Sequence, residues 1–566
     1  MSSFFHQRFH DTTSALAYSL ATPHADRSDL LPPYNDLTAF ILRQHARIPD
    51  YLRTPMLLAT LAVNANGVHR RAPEARARAI AAWKNSRLTF TRDLIRYHES
   101  LATLALYSRN EPSPAPQPEN VTPPLHEQWC DIAVIGSGPG GSITACLLAE
   151  SGHNVLLLEE GGLQPPGSCA PFTRQEMEQK YRHGGQTIAF GPDKISYVEG
   201  CCAGGGSEIN SGLYHRTPPE ILERWYKEFD VAAISEIELQ PHFDAIERAL
   251  SVSFLDHPAP PASLKLHEGA QRLGWKSLEV PRWFRNGERQ SMTRTYLARF
   301  LETGSTLLSH TRAVRLRREE RRWLLHAQHP TGRLRIHTRY VFVCGGAVQT
   351  PALLLRSGIN RNIGRSLRMH PTAKITARFP DVVNYADMGV PVHQVKEFAP
   401  RLSFGCSISS QAYLALGVLD HPEQFAAIRT AWPHMANYYI MITGEGRGEV
   451  HLLPGFQSPL VRYHLTDNDH RDIADGLNKL TGVLTAAGAV SLHTNSNLMT
   501  IHLFSSCPMG ERRSFCATDS FGRVHGCENL YINDASLLCT APGVNPQGTI
   551  MAIARRNTLH FLGKLK

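Results

Sequence analysis

No apolar stretch in this chain approaches the ~18 residues that a membrane-spanning helix requires; the nearest candidate, Met56 to Val63, is far too short. The N-terminus, MSSFFHQRFHDTTSALAYSL, lacks a basic start followed by a clean apolar run, so no secretory signal is expected. The eleven cysteines are scattered and form no Cys-x-x-Cys pair, which argues against both a zinc ligand set and a closed disulfide framework. Reduced thiols, no metal and a cytoplasmic setting are the expectation, with membrane association as the alternative. There is no dense basic tract. The net charge of +9 comes from 59 basic and 50 acidic residues spread along the chain, so no nucleic-acid partner is expected. No internal repeat at a fixed period is visible.

What remains is an ordinary globular composition, 42% hydrophobic and 19% charged, over 566 residues. That length exceeds what one core usually supports, so at least two domains are expected. The most informative stretch is Asp131 to Gly162, DIAVIGSGPGGSITACLLAESGHNVLLLEEGG. Ile132 to Ile135 read as a parallel strand buried on both faces. Gly136, Gly138 and Gly141 follow as G-x-G-x-x-G, giving a tight turn, close backbone approach to a pyrophosphate and close helix packing. Backbone N–H groups opening the helix would face the phosphates. Val155 to Leu158 form the second strand, and Glu159 ends it where a ribose hydroxyl is held. This unit alone fits a nicotinamide or a flavin dinucleotide equally well.

Residues 109–124, RNEPSPAPQPENVTPP, carry six prolines and read as an extended linker. Before it, residues 1–108 read as a helical extension: Ile80, Trp83, Leu88, Leu94, Ile95, Leu101 and Leu104 recur at roughly helical spacing. The plain reading is an appendage packed on the main body. The sharper one is a peripheral membrane or partner contact, supported by Arg70, Arg71, Arg76 and Arg78 beside the apolar segment from Met56. After the linker, residues 125–368 read as the main part of a dinucleotide-binding domain, with some segments of a substrate domain. Residues 369–494 read as an inserted, mostly antiparallel substrate-binding sheet. Its expected strands include Ala373 to Phe379, Tyr413 to Leu419, Tyr438 to Ile442 and Glu449 to Leu453. Residues 495–566 return to the first domain. The fold class is therefore α/β: a discontinuous Rossmann-like domain, an inserted antiparallel sheet and an N-terminal helical extension.

Four further stretches resemble the glucose–methanol–choline (GMC) family of flavin oxidoreductases. They are CCAGGGSEINSGLYHR from Cys201, CGGAVQTPALLLRSGI from Cys344 with NIGRSLRMHP after it, GRVHGCENLYINDASLL from Gly522, and PGVNPQGT from Pro542. The resemblance implies FAD as the dinucleotide. It places Gly204, Gly205, Gly206, Ser207 and Asn210 along the flavin, and Asp534, Ala535, Pro546 and Gln547 near its pyrophosphate and ring. Ala313 and Val314, in HTRAVRLRRE, fit the segment that meets adenine through its backbone. Cys201 and Cys202 beside the flavin loop read as buried thiols.

The resemblance also implies His502, in HLFSSCPMG, as the catalytic base and Asn545, in PGVNPQ, as its partner on the substrate oxygen. A histidine with an ordinary pKa of about 6.5 can accept an alcohol proton near neutral pH, and an amide can stabilise the developing alkoxide. His215 and His370 stand near flavin-lining motifs as secondary candidates, and His525 reads as structural. The expected activity is FAD-dependent oxidation of an alcohol to an aldehyde or ketone. A looser likeness of the N-terminal segment to long-chain alcohol oxidases tilts the substrate toward a bulky or apolar alcohol. Alternatives are a lyase or decarboxylase on the same fold, or the flavin-bearing subunit of an electron-transfer complex. The electron acceptor stays open among oxygen, a quinone and a cytochrome.

Overall fold

A computed structural model describes residues 3–21, 35–112, 125–165 and 167–565. Most of the proline-rich linker therefore lies outside the described residues. The first sheet has seven strands. Its centre is the strand Glu127–Ile135, whose last four residues are buried. This strand runs parallel to Val155–Leu158 on one side and Gly332–Val343 on the other. Thr306–Leu308 and the distant Leu530–Ile532 join in parallel at either flank.

The registers align five strand ends. Ile135 faces Leu158 and Val343, Leu158 faces Leu308, and Val343 faces Ile532. Gly136, Glu159, Cys344 and Asn533 are consequently the first residues past one sheet edge, the carboxyl edge at which open parallel sheets bind ligands. An antiparallel hairpin, Arg312–Glu319 with Arg322–His329, closes one side of the sheet. Its pairing skips Val314, which sits at a bulge.

The second sheet has eleven strands and is mostly antiparallel. Thr372–Arg378, Met435–Ile442 and Arg447–His451 match the expected strands. The sheet also takes Thr187–Phe190, Ile195–Tyr197 and Ser277–Glu279 from before residue 369, and Leu498–Thr500 from after 494. Its outer face buries Ala373, Ile375, Phe404, Tyr438 and Ile440 against the helices Pro261–Arg272 and Asp467–Ala486. By the two-residue period of a strand, the other face carries Lys374, Tyr439 and Gly405, and it turns to the first domain.

One expected strand is instead a helix. Tyr413 to Leu419 falls largely in the helix Gln411–Gly417, started by Ser410, whose hydroxyl accepts from the Tyr413 N–H at 3.4 Å. A short apolar run does not distinguish strand from helix by period. Packing decides here: Leu414 and Ala415 share a core with Leu101, Leu104 and Ala105 of the helix Thr89–Tyr107.

That core belongs to the N-terminal extension, which is helical as expected and docked on the body. The helices Ser3–Ala21, Asn35–Arg47, Asp50–Ala65 and Pro73–Lys84 precede Thr89–Tyr107. Polar ties fix the position. The Asp50 carboxylate accepts from the Gln457 and Ser458 N–H groups at 2.6 and 3.1 Å, and Arg47 donates to the Glu178 carbonyl at 2.6 Å. All eleven cysteines are free thiols, as expected. Among the described residues no helix is long and apolar enough to cross a membrane.

Candidate functional site

A cavity of about 960 Å³ lies between the carboxyl edge of the first sheet and the inner face of the second. Gly136, Gly138, Glu159, Gly205, Gly206, Asn210, Asp534, Ala535, Asn545, Pro546, Gln547 and His502 all line it. Four expected residues do not: Gly141, Gly204, Ser207 and Val314. Each has a visible structural task or position instead. Ser207 Oγ donates to the Gly204 carbonyl at 2.7 Å and accepts from the Met292 N–H, bracing the glycine loop from behind. Val314 sits at the hairpin bulge, next to the lining residues Arg312 and Ala313.

The glycines of the first turn divide by what surrounds them. A Cβ on Gly141 would fall 1.8 Å from the Gly136 carbonyl oxygen, so this glycine exists for helix packing. A Cβ on Gly138 would meet nothing within 4 Å and would point into open space at the helix start. A cradle left open at Gly138, at the N-terminus of a helix, fits a pyrophosphate. Glu159 is buried, and its carboxylate accepts from the Ser137 N–H and hydroxyl at 3.0 and 2.8 Å and from the Gly161 N–H at 2.8 Å. Burial raises its pKa despite those bonds. Asp534 is similarly engaged, accepting from Gly346 N–H, Thr350 Oγ1, Ser536 N–H and Ser536 Oγ. It fixes the Gly346 turn to the last strand.

The part of the cavity around His502 and Asn545 is assembled from four distant segments. The strands Arg368–Met369 and Leu503–Phe504 pair antiparallel, which brings His370 beside His502. Their Nδ1 atoms lie 3.1 Å apart with the rings edge to face at 83°. His370 is fully buried, and its Nε2 has no partner among the described residues. Burial first, then the Lys396 charge, pushes the His502 pKa down to about 3. Both imidazoles are therefore neutral. When His502 donates Nδ1–H to His370, its Nε2 lone pair is left for the cavity.

Asn545 is oriented by a residue that sequence reasoning missed. Gln394, in the strand His393–Val395, donates from Nε2 to Asn545 Oδ1 at 3.3 Å and to Tyr439 Oη at 3.1 Å. Its Oε1 accepts from His215 Nε2 at 3.1 Å. With its oxygen held this way, Asn545 presents its NH₂ as a donor toward the cavity. Lys396, two residues on, donates to Ser403 Oγ at 3.0 Å, and burial pulls its pKa down to about 8. A faint signal for the pair existed: Gln394 and Lys396 alternate with Val395, placing two polar groups on one face of a buried strand. His525 is structural, its Nε2 donating to the Gly510 carbonyl at 3.1 Å. Cys202 is buried and Cys201 half-buried; desolvation raises both thiols, Cys201 to about 12, so neither is a reactive thiolate.

Replacing Gln394 by leucine should lower the rate of substrate-driven flavin bleaching about tenfold, because Asn545, Tyr439 and His215 all lose a partner. Stopped-flow absorbance at saturating substrate measures it; an unchanged rate would show that Asn545 needs no orienting partner.

A sequence profile of GMC oxidoreductases matches this chain in two parts, residues 177–372 and 414–554. The chain belongs to the GMC oxidoreductases. A profile of NAD(P)-binding Rossmann-like domains also matches residues 134–198, the dinucleotide unit. As a GMC oxidoreductase the chain uses FAD, and the open Gly138 cradle and the partnerless Gln547 Nε2 in the cavity wall fit that cofactor. An uncharacterised GMC-type oxidoreductase of Sinorhizobium fredii is 38% identical over 470 residues, 75% of this chain and 93% of that protein. A long-chain-alcohol oxidase of Arabidopsis thaliana, FAO3, is 25% identical over 75% of this chain and 67% of its own. Among solved structures, pyridoxine 4-oxidase superposes with a TM-score of 0.60 at 19% identity, covering 77% of this chain and 99% of that one. Formate oxidase superposes with a TM-score of 0.61 at 15% identity, covering 78% and 99%. These two likenesses concern the fold.

Proposed function

We propose that this GMC oxidoreductase oxidises the alcohol group of an extended, largely apolar substrate to the aldehyde or ketone. The observation that carries this reading is the lining of the cavity. The cavity that His502 and Asn545 line is also walled by Phe40, Ile48, Met56, Leu101 and Leu104 of the N-terminal helices. A polar, compact substrate would leave that apolar wall against water, whereas an alkyl chain would cover it. The likeness to long-chain-alcohol oxidases points the same way.

In this reading Asn545 donates its NH₂ to the substrate oxygen, and His502 Nε2 accepts the hydroxyl proton. FAD, when bound, supplies the hydride acceptor. Lys396 adds positive charge behind the histidines, which stabilises the alkoxide that develops as the proton moves to His502 and opposes a lasting charge on the imidazole. The same burial makes the protonated imidazole costly, so His502 sheds its proton once product leaves. The test is anaerobic mixing of the flavoprotein with alcohols of increasing chain length. Bleaching that grows with chain length supports the reading; a full panel without bleaching removes it.

The depressed pKa sets a pH expectation. A histidine at about 6.5 would be mostly protonated, and inert as a base, at pH 5. His502, pushed down to about 3 by burial, is still neutral there. The bleaching rate should therefore agree at pH 5 and pH 7 to within about twofold. A tenfold fall at pH 5 would mean that the base titrates normally.

A further inference from the structure

One row of residues crosses the inner face of the second sheet. Gln394 lies opposite Gly405, Gly405 opposite Tyr439, and Tyr439 opposite Lys374. Neighbouring strands are spaced by about 4.8 Å, so Lys374 stands roughly 14 Å along the row from Gln394, the residue that holds Asn545. Gly405 is required in the row: a Cβ there would sit 2.3 Å from the Tyr439 ring, which lies over it. Tyr439 and Lys374 line the cavity, as do Leu416 and Leu498.

Lys374 is the anomaly of this wall. Its ammonium has neither a hydrogen bond nor an ion pair among the described residues, and the titratable group whose charge acts on it is the Cys406 thiol. Burial pulls its pKa down to about 8, which still leaves it mostly charged at pH 7. Lys374 is half-buried, and a cation on the wall of a largely apolar cavity with no counter-ion among the described residues is one that a bound anion would answer once substrate displaces water. The second lysine on this face, Lys396, donates to Ser403 and does not line the cavity, so it does not compete for that anion.

We propose that Lys374 is the counter-ion for a carboxylate at the far end of the substrate, which makes the preferred substrates hydroxy acids whose two polar ends are separated by a medium-length alkyl chain. The proposal rests on the alcohol-oxidation reading for the chemistry at the His502 end. The row supplies the spacing: an alcohol held by Asn545 and a carboxylate held by Lys374 lie at opposite ends of one apolar channel. Lysine suits the second role because a single charge on a flexible stem accepts a carboxylate at somewhat variable depth.

The experiment separates binding from turnover. Decanoate and its neutral isostere decanamide are titrated into the purified flavoprotein, read by perturbation of the flavin spectrum and by melting temperature. The wild type should bind decanoate about ten- to hundredfold more tightly than decanamide, and Lys374→Gln should abolish that preference while Lys374→Arg keeps most of it. In a second arm, flavin bleaching by ω-hydroxydecanoate is compared with bleaching by decanol. The wild-type preference for the hydroxy acid should collapse at least tenfold in Lys374→Gln. Equal binding of decanoate and decanamide by the wild type, or a preference that survives in Lys374→Gln, overturns the proposal. Lys374-dependent decanoate binding with a flavin that no alcohol bleaches would uphold the carboxylate site and remove the alcohol reading alone.

Discussion

His502→Ala should slow anaerobic flavin bleaching by about two to four orders of magnitude while FAD stays bound. The size follows from what the position offers. His502 lines the cavity, is neutral at working pH, and has one ring nitrogen occupied by His370, so the other is a base with a fixed direction. Alanine removes the proton acceptor without touching the glycine turn or the Glu159 contacts, which lie on the first sheet. It also strands His370, which is buried and would then lack a partner on either nitrogen, at about 1–3 kcal/mol of stability. His502→Gln controls for that loss, since it fills more of the space and can still hydrogen-bond to His370. If both variants slow bleaching alike with normal flavin absorbance, proton acceptance is the function. A variant that bleaches at the wild-type rate excludes His502 as the base.

The second large effect separates two glycines of one motif. Gly138→Ala should leave the apoprotein folded, with its melting temperature within a few degrees of wild type, yet weaken FAD retention at least tenfold. The added methyl meets no protein atom within 4 Å and occupies only the cradle. Gly141→Ala should fail earlier, as poorly folded apoprotein, because its methyl would lie 1.8 Å from the Gly136 oxygen and 2.9 Å from the Gly136 carbonyl carbon. Both atoms are backbone, and the strand beneath them is locked by its registers to neighbours on each side. Overpacking of that kind typically costs about 1–3 kcal/mol, and more where backbone cannot yield. Thermal unfolding of apo and FAD-loaded protein distinguishes the two cases. A Gly138→Ala protein that keeps FAD as tightly as wild type would exclude the cradle as the pyrophosphate site.

Much of the architecture could be read along the chain because it rests on local chemistry. The run Ile132 to Ile135 reads as a doubly buried strand because it leads into the Gly136 turn, and Val155 to Leu158 repeats the pattern before Glu159. The helical extension was legible from the spacing of Ile80, Leu94, Leu101 and Leu104. The segment Tyr413 to Leu419 was not, since seven residues of mixed apolar character fit either state until the helix Thr89–Tyr107 covers one side of them. Gln394 and Lys374 carried no motif at all. Their place in the site follows from hydrogen-bonded registers between strands far apart in sequence.

The sequence by itself determined that the chain carries a dinucleotide unit with a glycine turn, and that a histidine and an asparagine stand in blocks resembling those of a flavin enzyme. Those features depend on turn geometry and on residue chemistry within a few positions, so they survive in a linear string. Only the tertiary structure decided that five strand ends share one edge, that His370 backs His502, that Gln394 aims Asn545, and that an uncompensated lysine faces the same cavity. Each of these is set by strand pairing and burial across hundreds of residues, and burial is what turns an ordinary histidine or lysine into a neutral base or an unanswered charge.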